Sequence, residues 1–102
     1  MGRQLASLVI PSGASVSNSS PRLSNVGKML IQAPGTLDAL TFTVEGSIDG
    51  ADWDALPGPV TLTANEFEPI DIPIGFVRVS ASGNVAAQRV FKLAGDEYLT
   101  SM

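Results

Sequence analysis

The sequence predicts an all-β chain: a single-domain antiparallel β-sandwich, jelly-roll-like in its spacing, with about seven to eight short strands. Three observations lead there. Short runs alternate apolar and polar residues with a period of two, the mark of a strand buried on one face. Gly and Pro punctuate the chain every ~8–12 residues, which is hairpin and corner spacing rather than helix spacing. No window of helical length keeps an apolar period of 3.6.

The elements follow in order. Gln4 to Ile10 reads as a first strand, stopped by Pro11-Ser12-Gly13. Ser12 to Asn25 is rich in Ser and Asn; it is either a loop with a short strand at Ala14–Ser17 or a flexible arm. Lys28 to Ala33 is a second strand, closed by Pro34-Gly35. Leu37 to Ile48 is the strongest, with Leu40, Phe42 and Val44 on one face and Thr41, Thr43 and Glu45 on the other. Asp49-Gly50 turns it, because Gly tolerates positive φ and Asp bonds its own backbone. Trp53 to Leu56 is a short edge, Val60 to Thr63 alternates weakly, and Phe67 to Ile72 alternates up to Pro73. Phe76 to Ser82 places Val77, Val79 and Ala81 on one face; Gln88 to Leu93 is the last strand, with Val90 opposite Phe91 and Leu93. Asp38-Ala39-Leu40 and Ala64-Asn65-Glu66 are candidate single turns. Residues 1–13 form a possible N-terminal arm, and residues 95–102 a C-terminal tail that is either frayed or docked on a partner.

Composition narrows the chemistry. The chain has 102 residues, no Cys and no His. Disulfide staples, thiol chemistry, Cys/His zinc sites and His-dependent triads are thereby excluded. The net charge of −4 offers no basic patch for phosphates, so no nucleic-acid partner is expected. No run approaches the length of a spanning helix, and the apolar run Leu5 to Ile10 is too short for a signal peptide, so no membrane partner is expected. A surface this poor in charge is expected to be partly covered by neighbours, and so small a core leaves stability for an oligomer or partner to supply.

Several clusters invite a chemical reading. Asp49, Asp52 and Asp54 surround Gly50, but their spacing is not that of an EF-hand and no bidentate Glu follows. They read as turn-forming, solvated carboxylates, and no metal or cofactor is predicted. Trp53 is a packed corner residue, an interface anchor or a sugar-stacking platform. Arg78 and Arg89 suit cross-strand pairing with acids. Glu66 and Glu68 share one side of a strand and read as a solvated face rather than a glycosidase pair. No Gly-x-Ser-x-Gly elbow occurs, and no residue besides Lys28 and Lys92 offers a base for a Ser. No enzyme activity is predicted.

Two segments carry a resemblance. Phe42-Thr43-Val44-Glu45-Gly46-Ser47-Ile48-Asp49-Gly50-Ala51-Asp52-Trp53 resembles the strand and Ser-x-Asp-Gly-x-x-Trp corner of discoidin-like sandwiches. Phe76 to Gly83, followed by Gln88 to Leu93, is similar to their next strand. The order and spacing, with the opening Leu8-Val9-Ile10-Pro11-Ser12-Gly13, also resemble small proteins of tailed phages encoded near the major capsid protein. This resemblance implies a capsid decoration (cement) protein on the outer surface of an HK97-like head. Its implied partners are the major capsid protein and itself, as a homotrimer; its implied location is the virion, after assembly in the host cytoplasm. Leu5, Leu8 and Ile10 near one end, and Tyr98, Leu99 and Met102 at the other, are the expected partner contacts. An end segment is expected to add a strand to a neighbour's sheet or to fill a groove on it. A carbohydrate-binding module is the alternative, with Trp53 stacking on sugar and Asp49, Asp52 and Arg78 hydrogen-bonding it. A tail or neck component is a third reading that the sequence does not separate from the first.

Overall fold

The fold is described by a computed structural model for residues 2–23, 26–56, 60–70 and 75–97. Seven strands are present and, among the described residues, no helix. They are β1 (Gly2–Ile10), β2 (Val26–Gln32), β3 (Phe42–Ser47), β4 (Asp54–Ala55), β5 (Phe67–Ile70), β6 (Phe76–Ala81) and β7 (Arg89–Glu97). A four-stranded antiparallel sheet runs β1-β7-β2-β5, and a three-stranded one runs β4-β3-β6. The antiparallel β-sandwich expected from the alternation is what the chain forms.

Alternation sets the two inner faces. Leu8, Ile10, Met29, Ile31, Phe91 and Leu93 point inward from the larger sheet. Phe42, Val44, Val77 and Val79 answer from the smaller one, all fully buried. Phe42 and Phe91 join the layers, ring centroids 5.5 Å apart and tilted by 42°, a favoured aromatic geometry. Leu23, Leu56, Leu62 and Val85 close the ends from loops.

The boundaries differ from the expectation in four places, each for a local reason. The third strand begins at Phe42, not Leu37. Leu37 to Leu40 is a turn in which Asp38 and Ala39 both take positive φ (54° and 56°) and the Leu40 N–H donates to the Leu37 carbonyl at 3.0 Å. Val60–Thr63 forms only one bridge, Thr61 to Thr43. The last strand continues past Leu93 to Glu97, with Gly95 paired to both Arg3 and Met29. Finally, residues 2–10 of the expected N-terminal arm are β1 itself, paired along β7 with one register shift between Gln4 and Ala6.

Of the two readings of the Ser-rich segment, the loop with a short β contact within Ala14–Ser17 is the one the fold supports: Val16 bridges Ser80, and the Ser15 carbonyl accepts from the Ala81 N–H at 2.7 Å. The segment runs along the outer edge of β6 as a strap. The Ser17 N–H donates to the Val79 carbonyl (2.9 Å), and the Ser17 Oγ accepts from the Val79 N–H (2.9 Å). Ser20 repeats this with Val77 at 2.9 and 3.0 Å. Leu23 then exchanges two backbone bonds with Gly75. Three strap residues thus match two residues of β6. Two β residues rise ~7 Å, so the strap advances ~2.3 Å per residue and is too coiled to offer its carbonyls in ladder register. Serine hydroxyls take their place, each donating onward to the next residue's carbonyl (Ser17 to Asn18, Ser20 to Pro21, both 2.8 Å). The same strap reaches the other sheet: Asn18 Oδ1 accepts from the Val9 N–H at 2.7 Å. One segment therefore lies along the edge of β6 and also bonds the edge of β1 at Ser7 and Val9.

Gly75 is where the strap, β6 and the Asp49 turn converge. Its φ is +130°, and a Cβ there would collide with the Ser47 carbonyl oxygen, which is backbone and does not swing away.

Two predictions follow from these edges. Ser17→Ala or Ser20→Ala leaves a buried β6 N–H unpaired, so each is expected to lower unfolding free energy by about 1–3 kcal/mol in urea titrations. Gly75→Ala is expected to cost about 2 kcal/mol or more, through clash and a disfavoured φ, read as a lower thermal midpoint.

Candidate functional site

The conspicuous surface cluster lies on the outer face and one corner of the three-stranded sheet. Glu45 and Arg78 are directly opposite in the β3–β6 register, so their side chains share a face. Arg78 Nε lies 2.7 Å from Glu45 Oε1. The guanidinium also lies over Trp53, with Cζ 4.4 Å from the indole centroid, a cation–π stack. Trp53 is half-buried just before β4, whose pairing with β3 carries it to this face.

The corner itself is a hydrogen-bonded knot. Ser47 is buried; its Oγ donates to Asp49 Oδ1 (3.0 Å) and accepts from the Gly50 N–H (2.8 Å). Asp49 Oδ1 also accepts from the N–H groups of Ala51 (2.9 Å) and Asp52 (3.0 Å). These donors, Asp52 and Ala51 first and then Ser47, hold the Asp49 carboxyl down at about 2. Gly50 at φ +80° lays its backbone against the Phe76 ring. The Ser-x-Asp-Gly spacing thus builds a corner, in which Asp49 caps three donors.

The alternative sugar-site residues meet different fates. Trp53 and Arg78 are brought together, but the guanidinium occupies a face of the indole and is itself bonded to Glu45. Asp49 is engaged within its turn, while Asp52 is exposed beside it. Among the described residues, no group of three acidic, His or Cys side chains is placed to hold a metal ion.

The expected partner contacts need correction where they are described. Leu8 and Ile10 are fully buried core residues of β1 and present nothing to a partner; their alternation aims them at β3 and β6. Leu5 sits at the β1 register shift, and its side chain lies outside the described residues. Tyr98, Leu99 and Met102 lie outside them altogether. Among the described residues, the large apolar side chains that reach solvent are Leu30 (44% exposed), Phe67 (60%) and Ile48 (81%). Leu30 and Phe67 are neighbours on the outer face of the four-stranded sheet, opposite Pro69 and Gln32 respectively. Ile48 protrudes from the Asp49 corner. Their signal in the sequence is the apolar residue out of phase: Leu30 between the inward Met29 and Ile31, Phe67 before a charged residue, Ile48 at a turn.

A second ion pair lies away from this face. Asp38, in the turn before β3, receives Arg89 Nε at 3.1 Å and Nη2 on its other oxygen, a bidentate fork. Arg89 foremost, with the Ala86 N–H, lowers the Asp38 pKa, and Asp38 raises that of Arg89. The cross-strand pairing expected of Arg78 is present; Arg89 instead ties the β2–β3 connection to β7.

Comparison of the chain with family models, curated proteins and solved structures yields no match.

The acid response should report on the corner. The folded Asp49 pKa of about 2 lies below its ordinary 3.8, so its contribution to stability is complete above pH ~4 and is lost as pH falls from ~4 toward 2. Asp38 acts in the same sense. Asp49→Asn keeps the acceptor without the titration. Thermal midpoints measured from pH 5 to 2 are expected to fall less steeply in that variant than in the wild type.

Proposed function

We propose that this protein is a non-enzymatic structural subunit of a virion, a decoration protein that binds the outer surface of an assembled phage head and reinforces contacts between capsomers. The observation that carries the contact-making role is the display of large apolar side chains at two separate places, Leu30 with Phe67 and, alone, Ile48. A small monomer gains nothing from holding such groups in water, whereas a subunit bridging neighbours uses both. The ionic groups on the described surface fit the same role. Arg78, Arg89, Glu45, Asp38 and Asp49 are bonded within the fold, while Lys92, Asp52 and Glu66 stand exposed and add a few charges to a surface otherwise offering shape and apolar contact. The virion setting rests on the sequence resemblance to small phage proteins encoded beside the capsid protein. Self-association into a trimer is part of this reading.

Co-sedimentation with heads of its own phage tests it. Saturable binding to assembled heads, little binding to unassembled capsid protein, and a higher head-disruption temperature are expected, because a ligand specific for the assembled state stabilises it by linkage. Absence from the pellet at saturating concentration, together with Trp53-dependent capture on immobilised glycans, would replace this reading with the carbohydrate-binding one.

A further inference from the structure

An open depression of about 350 Å³ lies on the outer side of the four-stranded sheet, lined by Gln32, Ala33, Pro34, Asn65, Val90 and Lys92. Its lining is mixed, with Val90, Ala33 and Pro34 beside the polar Gln32, Asn65 and Lys92. Small-molecule sites enclose most of their ligand; this hollow is half open, which suits a side chain projecting from a protein surface. Phe67 and Leu30 stand beside it on the same outer face, since Phe67 pairs directly with Gln32. Lys92 is exposed on the rim and has no ion-pair partner among the described residues.

The complementary shape is on the same chain but out of its own reach. Ile48 is 81% exposed and stands in an acidic corner with Asp49, Asp52 and Asp54. It follows Ser47 at one end of β3. The depression lies toward the other end: the Leu62 N–H bonds the Phe42 carbonyl, and Asn65, three residues on, bonds the Pro34 carbonyl. The length of β3, ~17 Å, and the thickness of the sandwich separate the two. An Ile48 corner can therefore reach only another molecule's depression.

We propose that the depression receives the Ile48 corner of a second copy of this chain, in a head-to-tail contact that brings the corner's aspartates to Lys92. This rests on the reading of the protein as a self-associating structural subunit and specifies its interface. Charge selects the second copy in this orientation. Pairing the depression with itself would set Lys92 against Lys92 and leave Ile48 in water. The head-to-tail contact joins opposite charges in a chain of net charge −4, whose copies otherwise repel. Such a heterologous contact closes into a ring where its rotation divides a full turn and otherwise propagates as a filament.

The native chain has no cysteine, so cross-linking reads the contact directly. Single variants Ile48→Cys and Asn65→Cys are treated with a short bismaleimide, separately and mixed, and masses are followed by light scattering. A cross-linked dimer in the mixture and not in either variant alone is expected. Ile48→Asp is expected to weaken self-association at least ~10-fold. Lys92→Glu is expected to weaken it, and Asp52→Lys added to Lys92→Glu to restore it. All these positions are exposed, and circular dichroism confirms that the variants fold. Cross-linking of Asn65→Cys with itself, an unchanged mass for Ile48→Asp, or a wild type that stays at 10.6 kDa overturns the proposal. Head co-sedimentation by such a monomer would leave the decoration role standing while removing this interface.

Discussion

The outer edge of β6 is the constraint on which the rest of the molecule depends. A three-stranded sheet with a two-residue strand on one flank has little pairing to lose. Its other flank, β6, carries Val77 and Val79 into the core, so the N–H groups beside them are buried too. A buried N–H without a partner costs more than a hydrogen bond contributes when made. A regular strand cannot follow β1 here, because the chain leaves β1 at Pro11, turns at Gly13 and must contact both sheets before entering β2. The strap solves this with hydroxyls. Ser17 and Ser20 each satisfy both backbone groups of one β6 residue, and Asn18 between them faces β1. The side of the sandwich between β1 and β6 is thus sealed by ten residues that form no regular element.

The same economy explains why the corner is poor in free chemistry. Ser47, Asp49 and Gly50 satisfy one another, Gly75 lets the strap and the corner approach within backbone distance, and Phe76 supports the turn from below. A carboxylate holding three donors keeps its charge but has little directional capacity for a ligand. The corner is therefore a rigid mount. Rigidity matters for what it holds out, since an exposed Ile on a stiff turn loses less entropy on docking than one on a mobile loop.

The layers were legible in the sequence because inward residues alternate through Phe42–Val44 of β3, Val77–Val79 of β6 and Phe91–Leu93 of β7. Phe42 and Val44, Val77 and Val79, Phe91 and Leu93 each announce a face. The strap was not legible, because its period is three and its partners are hydroxyls. Ser17, Ser20 and Leu23 are evenly spaced, but hydrophobic patterning does not count serines. Leu37 to Leu40 was legible in part: Asp38-Ala39-Leu40 is a candidate turn in the sequence and a turn in the fold, but it lay inside a run read as strand because its anchor, Asp38 to Arg89, is a contact 51 residues distant. The β7 extension was hidden by Gly95, which reads as a strand breaker but is buried between Arg3 and Met29. Leu8 and Ile10 were placed at an interface because they lie near a chain end. Position in the sequence says little about exposure when the first strand pairs with the last.

Edge protection also decides how this sandwich can associate. Adding a strand to a neighbour needs an open edge. The strap covers the β6 edge, and the β1 edge at Ser7 and Val9. The β4 edge is two residues long, and the chain beyond it folds back to bridge Thr61 to Thr43. The β5 edge lacks a donor at Pro69, and Glu68 lies on the inward side, opposite Ile31; both are devices that blunt edge pairing. Backbone-mediated assembly is thereby closed off along β6 and restricted along β4 and β5. What stays available is side-chain contact through faces and corners, and there the exposed apolar residues stand: Leu30 and Phe67 on the one outer face, Ile48 at the far corner of the other sheet. Two unlike surfaces at opposite ends favour directional contacts over symmetric pairing.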